Sequence, residues 1–295
     1  MYGVANKAVS LAAYAPFTAL DLAGKSMLVV GGTGGLGRAI ALAASARGAA
    51  VTVVGRTFRD AGVANVSFHA ADLSLMTAAA EAGRALPPTD VVVLTTGTGP
   101  APKREVTPEG IERDMATSAL SRLVLMRELA PRLPRGARVF VWGMPGNGIH
   151  GARVDDLNAE GPGYEGNFGW VHQNTVAANE ALVFHLAETG AAQGVSAFGC
   201  NPGLIATGIR SFIYGSGVIA WIFEGLISLF SPSPTRYAQT MLPLMFAPGL
   251  EAHSGTMFGQ AGQPILADAA FRADPAHARK WIAGMEQLAR AKAGV

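Results

Sequence analysis

Hydrophobic runs of strand length recur at residues 27–30, 51–54, 66–69, 91–95, 138–142 and 195–200, and most of the intervals between them carry helical spacing. The runs are continuous and Val-rich instead of alternating, as expected of strands buried on both faces of a parallel sheet. The intervening helices are expected at 36–47, 73–86, 108–133 and about 169–188, with Gly48, Pro87 and Gly190 closing three of them. Strand and helix alternating in this way predict an α/β chain: a single-domain Rossmann fold, a doubly wound parallel sheet with helices on both faces. Residues 1–24 form an apolar extension, and 25–295 form the domain. Beyond Pro202 the pattern changes to an apolar, aromatic segment at about 205–233, read as a substrate lid. A helix near 234–246, a short strand near 256–258 and a charged tail helix follow.

Between the first strand and the first helix lies a glycine-rich turn, Gly31-Gly32-Thr33-Gly34-Gly35-Leu36-Gly37. Without Cβ atoms at Gly31, Gly35 and Gly37 the backbone can turn sharply and approach a pyrophosphate, which the free N–H groups and dipole of the helix start favour. In a doubly wound sheet the ligand lies at the carboxyl ends of the strands, so the residues after each strand carry the next information. After the second stands Arg56, a fork suited to a ribose 2′-phosphate where an acidic residue would accept from a 2′-hydroxyl. That choice points to NADP (NADPH), although a solvated loop arginine reads the same way. Asp72, followed by Leu73, could accept from an adenine amino group while capping the next helix.

Composition narrows the classes. With 295 residues, 49% of them hydrophobic and 15% charged, the chain can bury a sizeable core. A formal charge of +2 with scattered Lys and Arg gives no footprint for nucleic acid. Cys200 is the only cysteine, which excludes an internal disulfide or multi-cysteine metal site and suits a reducing, cytoplasmic setting. No metal is expected. The N-terminal apolar run resembles a signal peptide faintly, but its basic region is poor and Pro16 follows the candidate cleavage site, so a short helix packed on the body is the expectation. Residues 212–230 approach spanning length, yet Glu224 and three glycines argue against a membrane span.

The turn Gly31-x-x-x-Gly35-x-Gly37, the pair Asp72-Leu73, the segment Thr95-Thr96-Gly97 and the segment Asn201-Pro202-Gly203-Leu204-Ile205-x-Thr207 together resemble the short-chain dehydrogenase/reductase family over most of the chain. The resemblance implies a nicotinamide cofactor held by Gly31, Thr33, Gly34, Gly35, Leu36, Gly37, Arg56, Asp72, Leu73, Thr95, Thr96, Gly97, Pro202, Gly203, Ile205 and Thr207. The later stretch from 231 to 258 looks like the retinol-dehydrogenase-like branch. Family members reduce carbonyls with a Tyr-x-x-x-Lys pair, a Ser and an Asn. Registered through Ala178-Asn179, this chain has His172 at the Tyr position, Thr175 at the neighbouring Ser and Val176 at the Lys position. Gly143 falls at the catalytic Ser and Ser118 at the Asn. No shift of register restores the motif: there is no serine between Ser121 and Ser196 and no lysine between Lys103 and Lys280.

Imidazole, with an ordinary pKa of about 6.5, suits proton donation near neutrality better than an unassisted phenol. His172 is therefore the leading catalytic candidate, with Thr175 and Ser118 beside it; a histidine bonded to a backbone carbonyl without a catalytic role is the alternative. His150 and His185 lack metal-ligand spacing, and Asp155 and Asp156 read as turn residues. A flexible rim from 154 to 170 with Tyr164, Phe168 and Trp170, and the apolar cover, imply a large hydrophobic cavity for a small apolar substrate. The same cover could touch a membrane surface peripherally or form a homo-oligomer contact. Three functions remain open: an NADP-dependent oxidoreductase of bulky apolar ketones or alcohols with His172 as proton donor, a non-redox isomerase, cyclase or dehydratase on the same scaffold, or a silent cofactor-binding protein.

Overall fold

Eight strands form one sheet in the order β3-β2-β1-β4-β5-β6-β7-β8. They are β1 (Ser26–Val30), β2 (Ala50–Gly55), β3 (Val66–Ala70), β4 (Val91–Leu94), β5 (Arg138–Trp142), β6 (Ser196–Cys200), β7 (Met257–Phe258) and β8 (Pro264–Ile265). All neighbours pair in parallel except β7 with β8. The structure is a computed structural model and describes residues 3–99, 101–146, 149–166, 169–203, 205 and 232–295. The expected lid therefore lies almost wholly outside the described residues, as do Phe168 and Thr207.

Alternate residues of the central strands feed two cores. Leu28, Val30, Val92 and Leu94 join one core with α2 (Met76–Ala85), α3, α4 (Trp170–Gly190) and the tail helix α7 (Pro275–Ala293). Here α3 denotes the continuous helical run Arg113–Met115, Ala116–Leu120 and Ser121–Leu129. Met27, Val29, Val51 and Val53 join the other with α1 (Gly35–Ser45) and α5 (Pro234–Met245). A short α6 (Ala269–Ala273) precedes α7. Helices on both faces explain why the strand sequences read as unbroken apolar runs.

Three local expectations fail, each for a physical reason. The N-terminal run forms no helix apart from a single turn at Phe17–Ala19. Ala5 instead pairs antiparallel with Ile265, Asn6 N–H donates to Pro264 O at 3.0 Å, and Leu266 N–H to Val4 O at 2.7 Å, so the run covers the edge of β8. Asp72 does not cap α2. Its carboxylate accepts from Ser74 N and Oγ, and the helix starts later, capped by Glu109, which accepts from Met76 N at 2.6 Å and Thr77 N at 3.1 Å. The helix expected from 108 starts at Arg113, because residues 106–112 close a tight turn, with Thr107 N–H donating to Ile111 O at 2.8 Å.

Glu180, buried on α4, joins the loop after β5 to the C-terminal region by accepting from the backbone N–H groups of Gly146 and Asp268. Burial pushes its carboxyl up to about 7, although these two bonds oppose the rise. Its folded-state pKa is above the unfolded value, so its contribution is full below pH ~4.5 and is lost as pH rises through about 7. Denaturant unfolding from pH 4.5 to 8 should show wild-type stability falling, relative to Glu180→Gln, by on the order of 3 kcal/mol. Parallel pH profiles for the two proteins would contradict this reading.

Candidate active site

The strand order reverses between β1 and β4, which opens a crevice at their carboxyl ends. The glycine turn enters it after β1. A Cβ at Gly31 would lie 2.5 Å from Thr96 N, and its φ of +88° lies in the left-handed region, so only glycine fits. Gly37 is equally confined, against Thr95 Oγ1 and Gly31 O. Space opens beside Gly34, and no side chain caps α1, leaving its first-turn N–H groups for an anion. Thr95 Oγ1 donates to Val30 O at 2.9 Å, fastening the β4 turn to β1. The next side-chain oxygen, Thr96 Oγ1, is buried with no hydrogen-bond partner. An uncapped helix start, a glycine cradle and an orphaned hydroxyl along one crevice fit a dinucleotide.

At the outer end Arg56 is exposed just beyond β2, while Thr33 packs against Gly55. Arg38 forms a fork onto Asp60, with Nε 2.9 and 3.0 Å from its two oxygens. Phe58 and Phe68 stack at 4.9 Å. Asp72 lies in its own turn, and Leu73 is buried. Across the crevice, Asn201 Oδ1 accepts from Gly203 N–H at 3.0 Å, folding the Pro202-Gly203 turn, and Ile205 is buried.

A polar seam between α3 and α4 borders the inner end. Asp114, Ser118 and Arg122 are four residues apart on α3 and face His172, Thr175 and Asn179 on α4. His172 Nδ1 lies 3.1 Å from Asp114 Oδ2, and Thr175 Oγ1 donates to the same oxygen at 3.3 Å. Ser118 Oγ donates to Asp114 Oδ1 at 2.5 Å and accepts from Thr98 N–H at 2.9 Å. Asn179 Nδ2 donates to Ser118 O at 2.8 Å and Thr175 O at 2.7 Å, while its Oδ1 accepts from Arg122 Nη1 at 2.6 Å. Ser118 sits in a π-turn, Ala116–Leu120, whose widened ladder allows its carbonyl to take this side-chain donor.

Asp114 is wholly buried, whereas the His172 side chain is 18% exposed. Desolvation acts to lower the His172 pKa, but the hydrogen bond and charge of Asp114, with the charge of Glu112, outweigh it, so the value rises above 6.5. The arrangement orients one imidazole nitrogen onto a carboxylate, which favours the charged form of the ring beside the crevice. It is not a serine nucleophile site, because Ser118 donates to Asp114 and makes no bond to His172.

Thus His172, Thr175 and Ser118 come together, as the register implies. Gly143 stands at the position of the missing serine and packs tightly: a Cβ there would be 3.3 Å from Asn179 Cβ, so Asn179 would have to give by a few tenths of an ångström. Val176 is buried and apolar. Tyr164 is no replacement phenol. Its hydroxyl donates to Glu112 at 3.2 Å, and burial with that neighbouring carboxylate pushes its pKa up. Nor is the described part of the 154–170 rim loosely held. Arg153 N–H donates to Asn174 Oδ1, Trp170 Nε1 donates to Gly163 O, and Glu112 N–H donates to Asn158 Oδ1, tying the rim to α3 and α4. A groove of about 180 Å³ near His185 and Glu286 lies on the helix layer, apart from the seam. Asp114 and Arg122 escaped the sequence reading; their spacing from Ser118 on one helix stripe was the available signal. Among the described residues no helix is long and apolar enough to cross a membrane.

The pattern of the family described as short chain dehydrogenase matches residues 25–146. An uncharacterised oxidoreductase of Saccharomyces cerevisiae is 39% identical over 260 residues, covering 84% of this chain and 82% of that protein. Dehydrogenase/reductase SDR family member 12 of Bos taurus is 28% identical, over 92% of this chain and 88% of its own. Among solved structures, BdcA in complex with NADPH superposes with a TM-score of 0.60 at 18% identity, over 83% of this chain and 97% of that one.

If Asp114 sets the charge of His172, Asp114→Asn leaves desolvation dominant and the imidazole pKa falls below 6.5. NMR titration of His172 in both proteins checks this. Equal values would show that the carboxylate has no such role.

Proposed function

The chain belongs to the short-chain dehydrogenase/reductase family, and from that premise we propose that it is an NADP-dependent oxidoreductase of a bulky apolar ketone or alcohol, with His172 as the proton donor. The observation that carries the reading is the His172–Asp114 pair at the inner end of the crevice, where the residue types of the usual Tyr-Lys pair are missing. A bound NADPH would supply the hydride. The chain supplies the proton: Asp114 holds Nδ1 and favours the imidazolium, and Nε2 passes its proton to the carbonyl oxygen. Alcohol oxidation uses the same pair in reverse, with neutral imidazole accepting the proton.

Preference for the 2′-phosphate rests on Arg56, which makes no hydrogen bond or ion pair among the described residues and stands exposed after β2. BdcA, a protein of the same fold, is recorded with NADPH. The apolar substrate class rests on the composition of residues 205–233, rich in Phe, Ile, Leu and Trp. That segment would also be the place for contact with a membrane surface or a second copy of the chain.

NADPH oxidation with a panel of bulky ketones tests the reading. His172→Ala should lower kcat by about 10²–10⁴-fold at neutral pH while leaving NADPH affinity nearly unchanged. Wild-type activity should fall as pH rises through the elevated His172 pKa, because reduction consumes the charged form. Full activity in His172→Ala would sink the mechanism. For the cofactor, Arg56→Ala should weaken NADPH at least tenfold and NADH little; an equal effect on both would remove Arg56 from 2′-phosphate recognition.

A further inference from the structure

Arg122 is a cation where the proposed mechanism has no use for one. It is 3% exposed and donates to three acceptors of the protein itself. Its Nε and Nη2 donate to Thr96 O, the former at 3.1 Å. Its Nη1 donates to Trp142 O and, at 2.6 Å, to Asn179 Oδ1. Desolvation pulls its pKa down to about 9, partly offset by the charge of Asp114, so it stays cationic at neutral pH.

The acceptors define what it does. β4 and β5 are paired from Val91 with Arg138 to Leu94 with Val141, and then the ladder stops. Beyond that point the chain must turn away on both strands, leaving carbonyl groups at two adjacent strand ends. The guanidinium joins them, Thr96 O beyond β4 and Trp142 O at the end of β5, and ties both to α4 through Asn179. A planar fork spreads its donors in fixed directions and so reaches three acceptors on separate elements, whereas a lysine ammonium brings its three donors to one compact point. The same residue whose carbonyl is clamped, Thr96, carries the buried hydroxyl that lacks a partner.

We propose that Arg122 is a positioning residue for the cofactor: by clamping Thr96 O to the end of β5 and to Asn179, it fixes the 95–97 turn, which packs against the glycine turn, at the inner half of the dinucleotide crevice. This rests on the NADPH reading. The family's lysine position is apolar Val176, and the buried cation beside the site comes instead from α3. It acts on the opposite side of Asn179, through backbone carbonyls.

The test compares NADPH dissociation constants, by calorimetry, for wild type, Arg122→Met, Arg122→Lys and Leu125→Ala, each shown to be folded by circular dichroism. Leu125 is fully buried on the same helix, in the apolar core, and makes none of the clamp's hydrogen bonds, so its truncation destabilises the helix packing while leaving the clamp's donors in place. Arg122→Met should weaken NADPH at least tenfold, Arg122→Lys by an intermediate factor, and Leu125→Ala less than twofold. NADPH affinity within twofold of wild type in Arg122→Met would make Arg122 a staple of the fold alone. Should Arg122→Met fail to fold, Arg122→Lys decides: at least threefold weakening supports the proposal and unchanged affinity overturns it. Absence of NADPH binding by the wild type would overturn the parent reading itself, a result distinct from wild-type binding that Arg122 does not affect.

Discussion

A buried guanidinium, a buried carboxylate and a mostly buried imidazole meet along one helix–helix contact, and in a low-dielectric interior neither of the two buried charges is tolerable alone. Removing one member of a buried charged set costs about 3–5 kcal/mol, chiefly because the remaining charge is left uncompensated. The seam meets this requirement through pairing and hydrogen bonding: Asp114 takes bonds from Ser118 and Thr175 and holds His172, Asn179 uses both ends of its amide, and Arg122 is held by carbonyls. Such satisfaction demands a fixed register between α3 and α4. A shift of either helix by one residue would break these bonds together, so the polar seam specifies the helix pairing more narrowly than the surrounding apolar core.

That register connects the sheet to the chemistry. The reversal of strand order fixes where a crevice can form, and the glycine turn makes its floor accessible to a phosphate. Neither decides what happens at the inner end. The α3–α4 seam borders that end, where it holds a titratable imidazole and fastens the ends of β4 and β5. Asn179 joins the two halves of the seam, accepting from Arg122 through its oxygen and donating to the carbonyls of Ser118 and Thr175 through its nitrogen. With Gly143 packed against Asn179 and Val176 apolar, a tyrosine at 172 would have neither a serine nor a lysine at those positions.

Much of the fold was legible in the sequence because local pattern and global topology agree. The β1, β4, β5 and β6 runs are mainly apolar and lie buried between two helix layers, whereas β3, the edge strand, carries Ser67 and His69 and is only partly buried. Edges and caps were not legible, since they depend on partners distant in the chain. Glu109 caps α2 from 33 residues away, and the N-terminal run finds the open edge of β8. Within the site, the glycine turn and the His172, Thr175 and Ser118 group could be placed by spacing. Asp114 could not, because a lone aspartate in a helix looks like surface until the π-turn brings its stripe against α4. Arg122 was hidden for the same reason: arginine is ordinarily a residue of the exposed face, and nothing nearby in sequence reveals two strand ends awaiting a donor.

The proposed chemistry depends on His172 carrying the reacting proton under the control of Asp114. It is tested most directly by measuring two values on one preparation: the pKa of the His172 imidazole, by NMR in the presence of NADPH, and the pKa governing carbonyl reduction under single-turnover conditions. The account predicts that they coincide, lie above 6.5, and move down together in Asp114→Asn. A reduction rate that ignores the His172 titration, or responds to a different ionisation, would contradict it.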